Sequence, residues 1–423
     1  MNNMKMRGFM RLTRVNTARK KFLSQVNVKR LPTENISTIK ALSRVLAEDV
    51  VAEVDVPYFD RSAVDGYALR AEGTYGASRS NPIVFDVLGV VEIGSLSRLV
   101  LGKQQAASIA TGAAIPEGAD SVVMIEYTEQ IEYDKVEVYR SLTPGGNVSI
   151  RGEDVKKGER ILPKGILLQP QDIGILAALS YSKVRVVRMP RVAVLSTGNE
   201  LVELGGNVGL GKIIDSNRPI LMAMVKDLGG KPIDLGIARD NLKEIQSRIA
   251  SGVKNSDMIL VSGGTSVGTG DLVPEAINSL GKPGIIVHGI SIRPGKPTAL
   301  AALNNKPIVL LPGFPVAAMI SFNAFVQPIL LKMLGASSEQ FAKRTVRAKM
   351  LRRVPSSLGN RTFTRVIVKM GDGGYVAEPF RTGGSAVISS MIRANGLVVI
   401  PEEKEGLEEG EEVEVALLRP LGE

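Results

Sequence analysis

The sequence predicts an α/β multidomain protein: a central three-layer α/β domain on a mostly parallel sheet, a small β domain, a discontinuous linking domain and a C-terminal β-barrel-like domain. Three observations carry this prediction. Between Arg191 and about Leu334, the apolar runs RVAVLS, PIDLGIA, DMILVSGG, IIVHGISI and PIVLLPG alternate with helical stretches, the pattern of a parallel sheet covered on both faces. Residues 82–140 hold short β-rich runs between turn signals, and strands with turns return beyond Ala342. A chain of 423 residues also exceeds one ordinary core.

Taken in order, residues 1–30 read as a basic, disordered leader. ENISTIKALSRVLAEDV, which ends at Val50, has helix-compatible apolar spacing at Ile36, Ile39, Leu42, Val45 and Leu46. VDVPYFDRSAVDGYALR, with Pro57 and Gly66, reads as a structured loop. A glycine-rich crossing near 147 leads into a helical QDIGILAALSY, and this segment pairs best with the first helix, as if the chain leaves a domain and returns. The division is therefore 1–30 leader, 31–54 with 147–188 linking domain, 55–146 small β domain, 189–340 α/β domain and 341–423 C-terminal β domain. Helices in the α/β domain are expected over RPILMAMVKDLGG, NLKEIQSRIASGV, PEAINSL and VAAMISFNAFVQPILLKML, and GLEEGEEVEVALL reads as hairpin-like.

Composition narrows the chemistry. The absence of cysteine removes disulfides, thiolate metal sites and thiol nucleophiles, and the only histidine, His288, sits in an apolar run as a packed strand residue. Catalysis then rests on carboxylates, hydroxyls, Lys/Arg and a hard metal ion. With 44% hydrophobic and 23% charged residues, no bilayer-length apolar run and no secretory core, the expected location is the cytoplasm, with no membrane partner. The net charge of +10 gathers in residues 1–30, which hold nine Lys/Arg and no Asp/Glu; the rest has 44 basic against 43 acidic residues. A nucleic-acid face is not implied.

Ligands of open parallel sheets bind beyond the carboxyl ends of the strands, where loops and helix amino termini converge. Every strand candidate ends there in a polar cluster: Thr197-Gly198-Asn199-Glu200, Arg239-Asp240, Ser262-Gly263-Gly264-Thr265-Ser266 leading to Asp271, Arg293-Pro294-Gly295-Lys296, and Pro312-Gly313-Phe314-Pro315. The glycines of SGGTSVGTGD let backbone N–H groups meet an anion such as phosphate, and Asp271 either caps the next helix or holds a hydrated magnesium ion. A plain capped turn is the alternative. The loop fits neither a dinucleotide fingerprint nor a P-loop. Arg293 and Lys296 flank a Pro-Gly turn and can converge on one anion, the alternative being a solvated turn.

At these residues the sequence resembles the molybdopterin molybdenumtransferase family, the MoeA and gephyrin E-domain proteins. FDRSAVDGYALR, TGAAIPEGADSVVMIE, RGEDVKKGE, STGNELVE, IIDSNRPIL, GGTSVGTGD, RPGKP, LPGFPVA and ISSMIRANGLVVIPE occur in order across nearly the whole chain. The resemblance implies magnesium-dependent insertion of molybdate or tungstate into adenylylated molybdopterin with release of AMP, by a homodimer whose site is shared between subunits, next to the adenylyltransferase of the preceding step. It implies catalytic roles for Asp65, Glu200, Asp240 and Asp271, with Asp240 and Asp271 on magnesium. Substrate contacts fall to Thr111, Asp154, Thr197, Ser262, Gly263, Gly264, Ser266, Arg293, Lys296, Pro312 and Gly313. Two departures stand out: Arg293 where many relatives have Lys, and Phe314 where many have Asn. Alternative functions are molybdopterin adenylyltransferase and a molybdopterin-binding scaffold.

Overall fold

The computed structural model describes residues 12–95, 97–264, 272–341, 344–380 and 384–421. Its centre is a six-stranded sheet: β1 (Arg191–Thr197), β2 (Lys231–Ala238), β3 (Met258–Ser262), β4 (Pro283–His288), β5 (Ala299–Leu303) and β6 (Lys306–Leu311), in the order β2-β1-β3-β6-β5-β4. The first four run parallel, and β5 is antiparallel to both neighbours. Because side chains alternate along a strand, β1 feeds two cores. Val192 and Val194 pack toward Leu221 and Val225 of the helix Asn217–Asp227, and Ala193 and Leu195 toward Ile245 and Ile249 of the helix Leu242–Asn255. The latter helix starts where the Asn241 side chain accepts the Glu244 N–H at 3.1 Å.

Strand β5 was not among the expected strands. Its ALAAL sequence favours helix by local propensity, but Asn304 and Asn305 both adopt left-handed φ, 50° and 62°, and turn the chain tightly into β6.

The run Pro315–Leu334 forms one continuous apolar helical segment, π-helical over Phe322–Val326 just before Pro328, whose missing N–H cannot support a regular α turn. By length and composition it is long enough to cross a membrane, against the expectation of no such run; it is a mostly buried core helix.

Two expectations about the amino-terminal part fail for identifiable reasons. Residues 34–50 do not form a helix. Thr33–Ser37 is a strand pairing antiparallel with Lys183–Val187, a single 3-10 turn follows, and Ile39 and Leu42 are exposed, so the apolar residues never form one face. The leader is not disordered over the described residues 12–30. Val15–Gln25 is a helix whose Val15, Ala18 and Phe22 enter the sheet's core, while Arg19 donates to the Ala324 carbonyl at 2.8 Å. Burial, then the neighbouring Arg361, lowers the Arg19 pKa, and Glu402 opposes this. Its basic composition concealed a three-residue apolar stripe.

Residues 41–56 and 155–186 share one core, including Leu46, Val50, Leu162, Leu176 and Val186. The small β sheet is built from Gly66–Leu69, Ile83–Val91, Gln105–Ile109, Ser121–Met124, Thr128–Glu132 and Lys135–Val138. Near the carboxyl terminus, Thr345–Met350, Arg361–Gly371, Gly374–Pro379, Gly396–Ile400 and Glu412–Leu417 close into a five-stranded barrel through the pairing of Arg361–Gly371 with Gly396–Ile400. The expected hairpin within GLEEGEEVEVALL is absent: Gly406–Leu407 pairs with Val354–Pro355, and Glu412–Leu417 with other barrel strands.

Phe22→Ala should cost about 3–5 kcal/mol of stability, since it empties a fully buried aromatic site. Denaturant unfolding measures this, and a loss below about 1 kcal/mol would mean that the helix does not pack in solution.

Candidate functional site at the strand ends

Two cavities open beyond the carboxyl ends of β1, β3 and β6, with Phe314 in the wall of both. The smaller, about 300 Å³, is lined by Thr197, Glu200, Asp215, Asn217, Ser262 and Gly313 among others. The larger, about 730 Å³, lies between the sheet domain and the barrel and is lined by Arg293, Lys296, Pro312, Thr362, Arg365 and Ser385 among others. Their charges differ. Among the described lining residues, the smaller cavity has the carboxylates Glu200 and Asp215 and no cation; the larger has three cations and no carboxylate.

The strand ends approach each other closely because glycines permit it. Gly263 has φ +93°, and a Cβ there would lie 2.4 Å from the Thr197 carbonyl oxygen. At Gly198 a Cβ would fall 2.6 Å from both Glu200 carboxylate oxygens, so the Glu200 carboxylate folds back over the turn. Gly264, at φ +61°, leads toward the loop carrying Ser266 and Asp271; these two expected site residues lie outside the described residues.

Asn217 clamps the floor. Its Nδ2 donates to Ser262 Oγ at 2.7 Å and to the Gly313 carbonyl at 2.8 Å. The carbonyl can only accept, which fixes the amide orientation. Asn217 Oδ1, Ser196 Oγ and Thr197 Oγ1 are buried and without a hydrogen-bond partner among the described residues. Buried polar atoms of this kind ordinarily have partners, so their grouping at one cavity is a feature of a binding site. Beneath them, the buried Arg218 guanidinium meets three carboxylates: Asp234 at 2.8 Å, Asp215 at 3.2 Å, and Glu203. Burial by itself lowers the Arg218 pKa; the Glu203 hydrogen bond and the charges of Asp234 and Asp215 outweigh it and raise the pKa.

Asp240 sits at the end of β2, its carboxylate accepting the Asn199 N–H at 3.1 Å while its own N–H donates to Asn199 Oδ1 at 3.1 Å. It lies beside the smaller cavity's Gly198–Glu200 turn without lining the cavity. The structure thus gathers Thr197, Glu200, Ser262, Gly263 and Gly313 around one cavity, and Arg293, Lys296 and Pro312 around the other. His288 ends β4 and lines neither. Ser196, Asp215, Asn217 and Arg218 were not singled out in the sequence, although the IIDSNRPIL motif that contains the last three was visible.

Asp65, Thr111 and Asp154 stand elsewhere. Asp65 is exposed and accepts both the Thr111 N–H, 2.7 Å, and the Thr111 hydroxyl, 2.9 Å. The N–H first, then the hydroxyl, holds its pKa below the ordinary carboxylate value. The next residue must be glycine, since a Cβ on Gly66 would lie 1.8 Å from the Val123 carbonyl oxygen. Asp154 is exposed in a neighbouring loop anchored by its N–H to the Val56 carbonyl at 3.1 Å. None of the three lines either cavity.

Comparison with known proteins follows this anatomy. Residues 13–180 match the family profile described as "MoeA N-terminal region (domain I and II)", residues 193–332 "Probable molybdopterin binding domain", and residues 347–418 "MoeA C-terminal region (domain IV)". The chain is 35% identical over 391 residues to a molybdopterin molybdenumtransferase of Bacillus subtilis, covering 92% of this chain and 90% of that protein. It is 32% identical over 392 residues to one of Staphylococcus aureus, covering 92% and 91%. A crystal structure of a molybdopterin biosynthesis MoeA protein from Pyrococcus horikoshii superposes with a TM-score of 0.81 at 37% identity, covering 97% of this chain and all of that one.

Since the folded pKa of Asp65 is depressed, the contribution of its contact with Thr111 is present above about pH 4 and is lost as the pH falls through the lower folded value. Thr111→Val, which keeps the N–H, should raise that pKa only part of the way to normal. Carboxyl NMR titration checks this, and an ordinary Asp65 pKa in the unmodified protein would show that the contact does not form.

Proposed function

The chain belongs to the MoeA family of molybdopterin molybdenumtransferases, transferases of molybdenum cofactor biosynthesis, and from that premise we propose that it inserts molybdate or tungstate into adenylylated molybdopterin and releases AMP. The separation of charge across Phe314 carries this reading. A small dianion needs cations and hydroxyls, which Arg293, Lys296, Arg365, Thr362 and Ser385 offer, with no carboxylate among the described lining residues. The organic substrate takes the adjoining cavity, against Thr197, Ser262, Gly263 and Gly313. Cleaving a phosphoanhydride depends on positioning and charge neutralisation more than on a covalent nucleophile, so a site without cysteine or a participating histidine suffices.

Magnesium is the ion this reading calls for. Glu200, Asp240 and the Thr197 hydroxyl, which has no partner among the described residues, are hard oxygen donors of the kind that ion takes, at neighbouring strand ends. Among the described residues no three acidic or imidazole groups cluster for a metal, so Asp271 would complete the set with Asp240. When bound, magnesium neutralises phosphate charge. Incubation with adenylylated molybdopterin, magnesium and either oxyanion should release AMP, and Asp240→Ala should lose most of that release while melting normally. No AMP with either oxyanion overturns the reading. Pyrophosphate formation from ATP and molybdopterin would instead assign the preceding adenylylation, which in our reading belongs to a partner adenylyltransferase.

We assign Asp65 and Thr111 to the site of the opposite subunit in a homodimer, because they belong to the small β domain and line neither cavity of their own chain. Asp65→Ala and Asp240→Ala homodimers should each be nearly inactive. Exchange between them should restore activity at the heterodimer site that carries neither change, and failure of restoration under proven exchange returns Asp65 to its own subunit.

A further inference from the structure

The cationic cavity is assembled from the sheet domain, the barrel and the amino-terminal segment. Leu12 lines it beside the basic turn and the barrel. Thr13 bridges to the sheet domain immediately before that turn: its N–H donates to the Gly289 carbonyl at 3.0 Å, and its carbonyl accepts the Ser291 N–H at 2.9 Å. The same Ser291 carbonyl accepts the Arg361 N–H at 2.9 Å, and the next residues continue the contact as a short parallel ladder, Ile292 beside Arg361 and Arg293 beside Thr362. The Arg361 guanidinium is held in turn by Glu402, whose side chain is only 5% exposed, at 3.0 Å, and reaches Asn16 of the amino-terminal helix at 3.5 Å.

A single backbone line thus runs from Thr13 through Ser291 to Arg361, and Arg293 sits two residues beyond its midpoint. Neither Thr13 nor Arg361 lines the cavity. Both fix the residues that do. We infer that Thr13 and Arg361 are positioning residues for the oxyanion: they lock the Arg293–Lys296 turn against the barrel, so that anion affinity depends on docking of the amino-terminal segment. The inference rests on the reading of this cavity as the oxyanion site. Its physical basis is the sensitivity of a multi-point charged site to displacements of about 1 Å.

The test is calorimetric binding of molybdate, and separately tungstate, to the full-length protein and three variants. Thr13→Pro removes the N–H that holds Gly289; Arg361→Ala removes the grip of Glu402 and Asn16; Arg361→Lys retains the charge. Thr13→Pro and Arg361→Ala should weaken oxyanion binding on the order of tenfold, with partial rescue in Arg361→Lys. In turnover the loss should fall on KM for the oxyanion, with kcat and KM for adenylylated molybdopterin nearly unmoved. Oxyanion affinity unchanged in variants that melt earlier would make the line a stability device and overturn the proposal, as would unmodified protein that binds neither oxyanion. Oxyanion binding that follows the predicted order without any AMP release would leave this inference standing and sink the proposed reaction. Should Arg361→Ala fail to fold, Thr13→Pro and Arg361→Lys decide.

Discussion

One side chain extends the backbone pairing of the strand ends into the loops beyond them. Asn217 spans from Ser262 at the end of β3 to the Gly313 carbonyl just past β6, with hydrogen bonds of 2.7 and 2.8 Å. Each such bond contributes only about 1 kcal/mol net, but loss of the amide would strand buried groups at a cost of about 1–3 kcal/mol each. Its neighbour Arg218 ties Asp215, Asp234 and Glu203 together below it, so the one buried carboxylate of the three, Asp215, and the buried guanidinium compensate each other beneath the cavity. The position of Gly313 sets that of Phe314, and Phe314 divides the two cavities. The division of charge described above therefore begins with the first turn of one helix.

Opposite charge on the two sides of an aromatic side chain is a means of ordering two substrates without a covalent handle. On the proposed reading, the cavity whose described lining has three cations and no carboxylate attracts the free oxyanion, whereas the cavity of Glu200 and Asp215 accepts a phosphate-bearing substrate only together with a countercation such as magnesium. Phe314 is 57% exposed, which makes it a wall rather than a piece of core. The glycine at 263 serves the same arrangement, since a side chain there would collide with the Thr197 backbone carbonyl, and one at 198 would displace the Glu200 carboxylate from the turn.

Much of this was legible in the sequence, and the gaps have physical causes. All five expected strands of the central domain appear: β1, β3 and β6 are apolar runs buried on both faces, while β2 and β4 are half-buried edge strands that still carry Ile and Val. Strand β5 escaped because Ala and Leu carry no β signal, and only the Asn304-Asn305 pair marked its turn. The stretch after Thr33 looked helical because its spacing matched a helix, but its partner, Lys183–Val187, lies about 150 residues away and could not be seen locally. Polar strand-end clusters pointed to Thr197, Glu200, Ser262 and Arg293. Asp215, Asn217 and Arg218 follow a minor two-residue strand, Ile213–Ile214, and so fell outside a search based on the ends of the main strands. The helix Val15–Gln25 was hidden because its polar and charged residues together outnumber the Val15, Ala18 and Phe22 stripe.

Everything above turns on where the oxyanion binds. The most direct measurement is tungsten anomalous scattering from crystals of the protein soaked in tungstate. A tungsten peak is expected between the Arg293–Lys296 turn and the barrel strand Arg361–Gly371, on the barrel side of Phe314. A sole peak in the cavity of Glu200, Asp215 and Asn217 would contradict that placement.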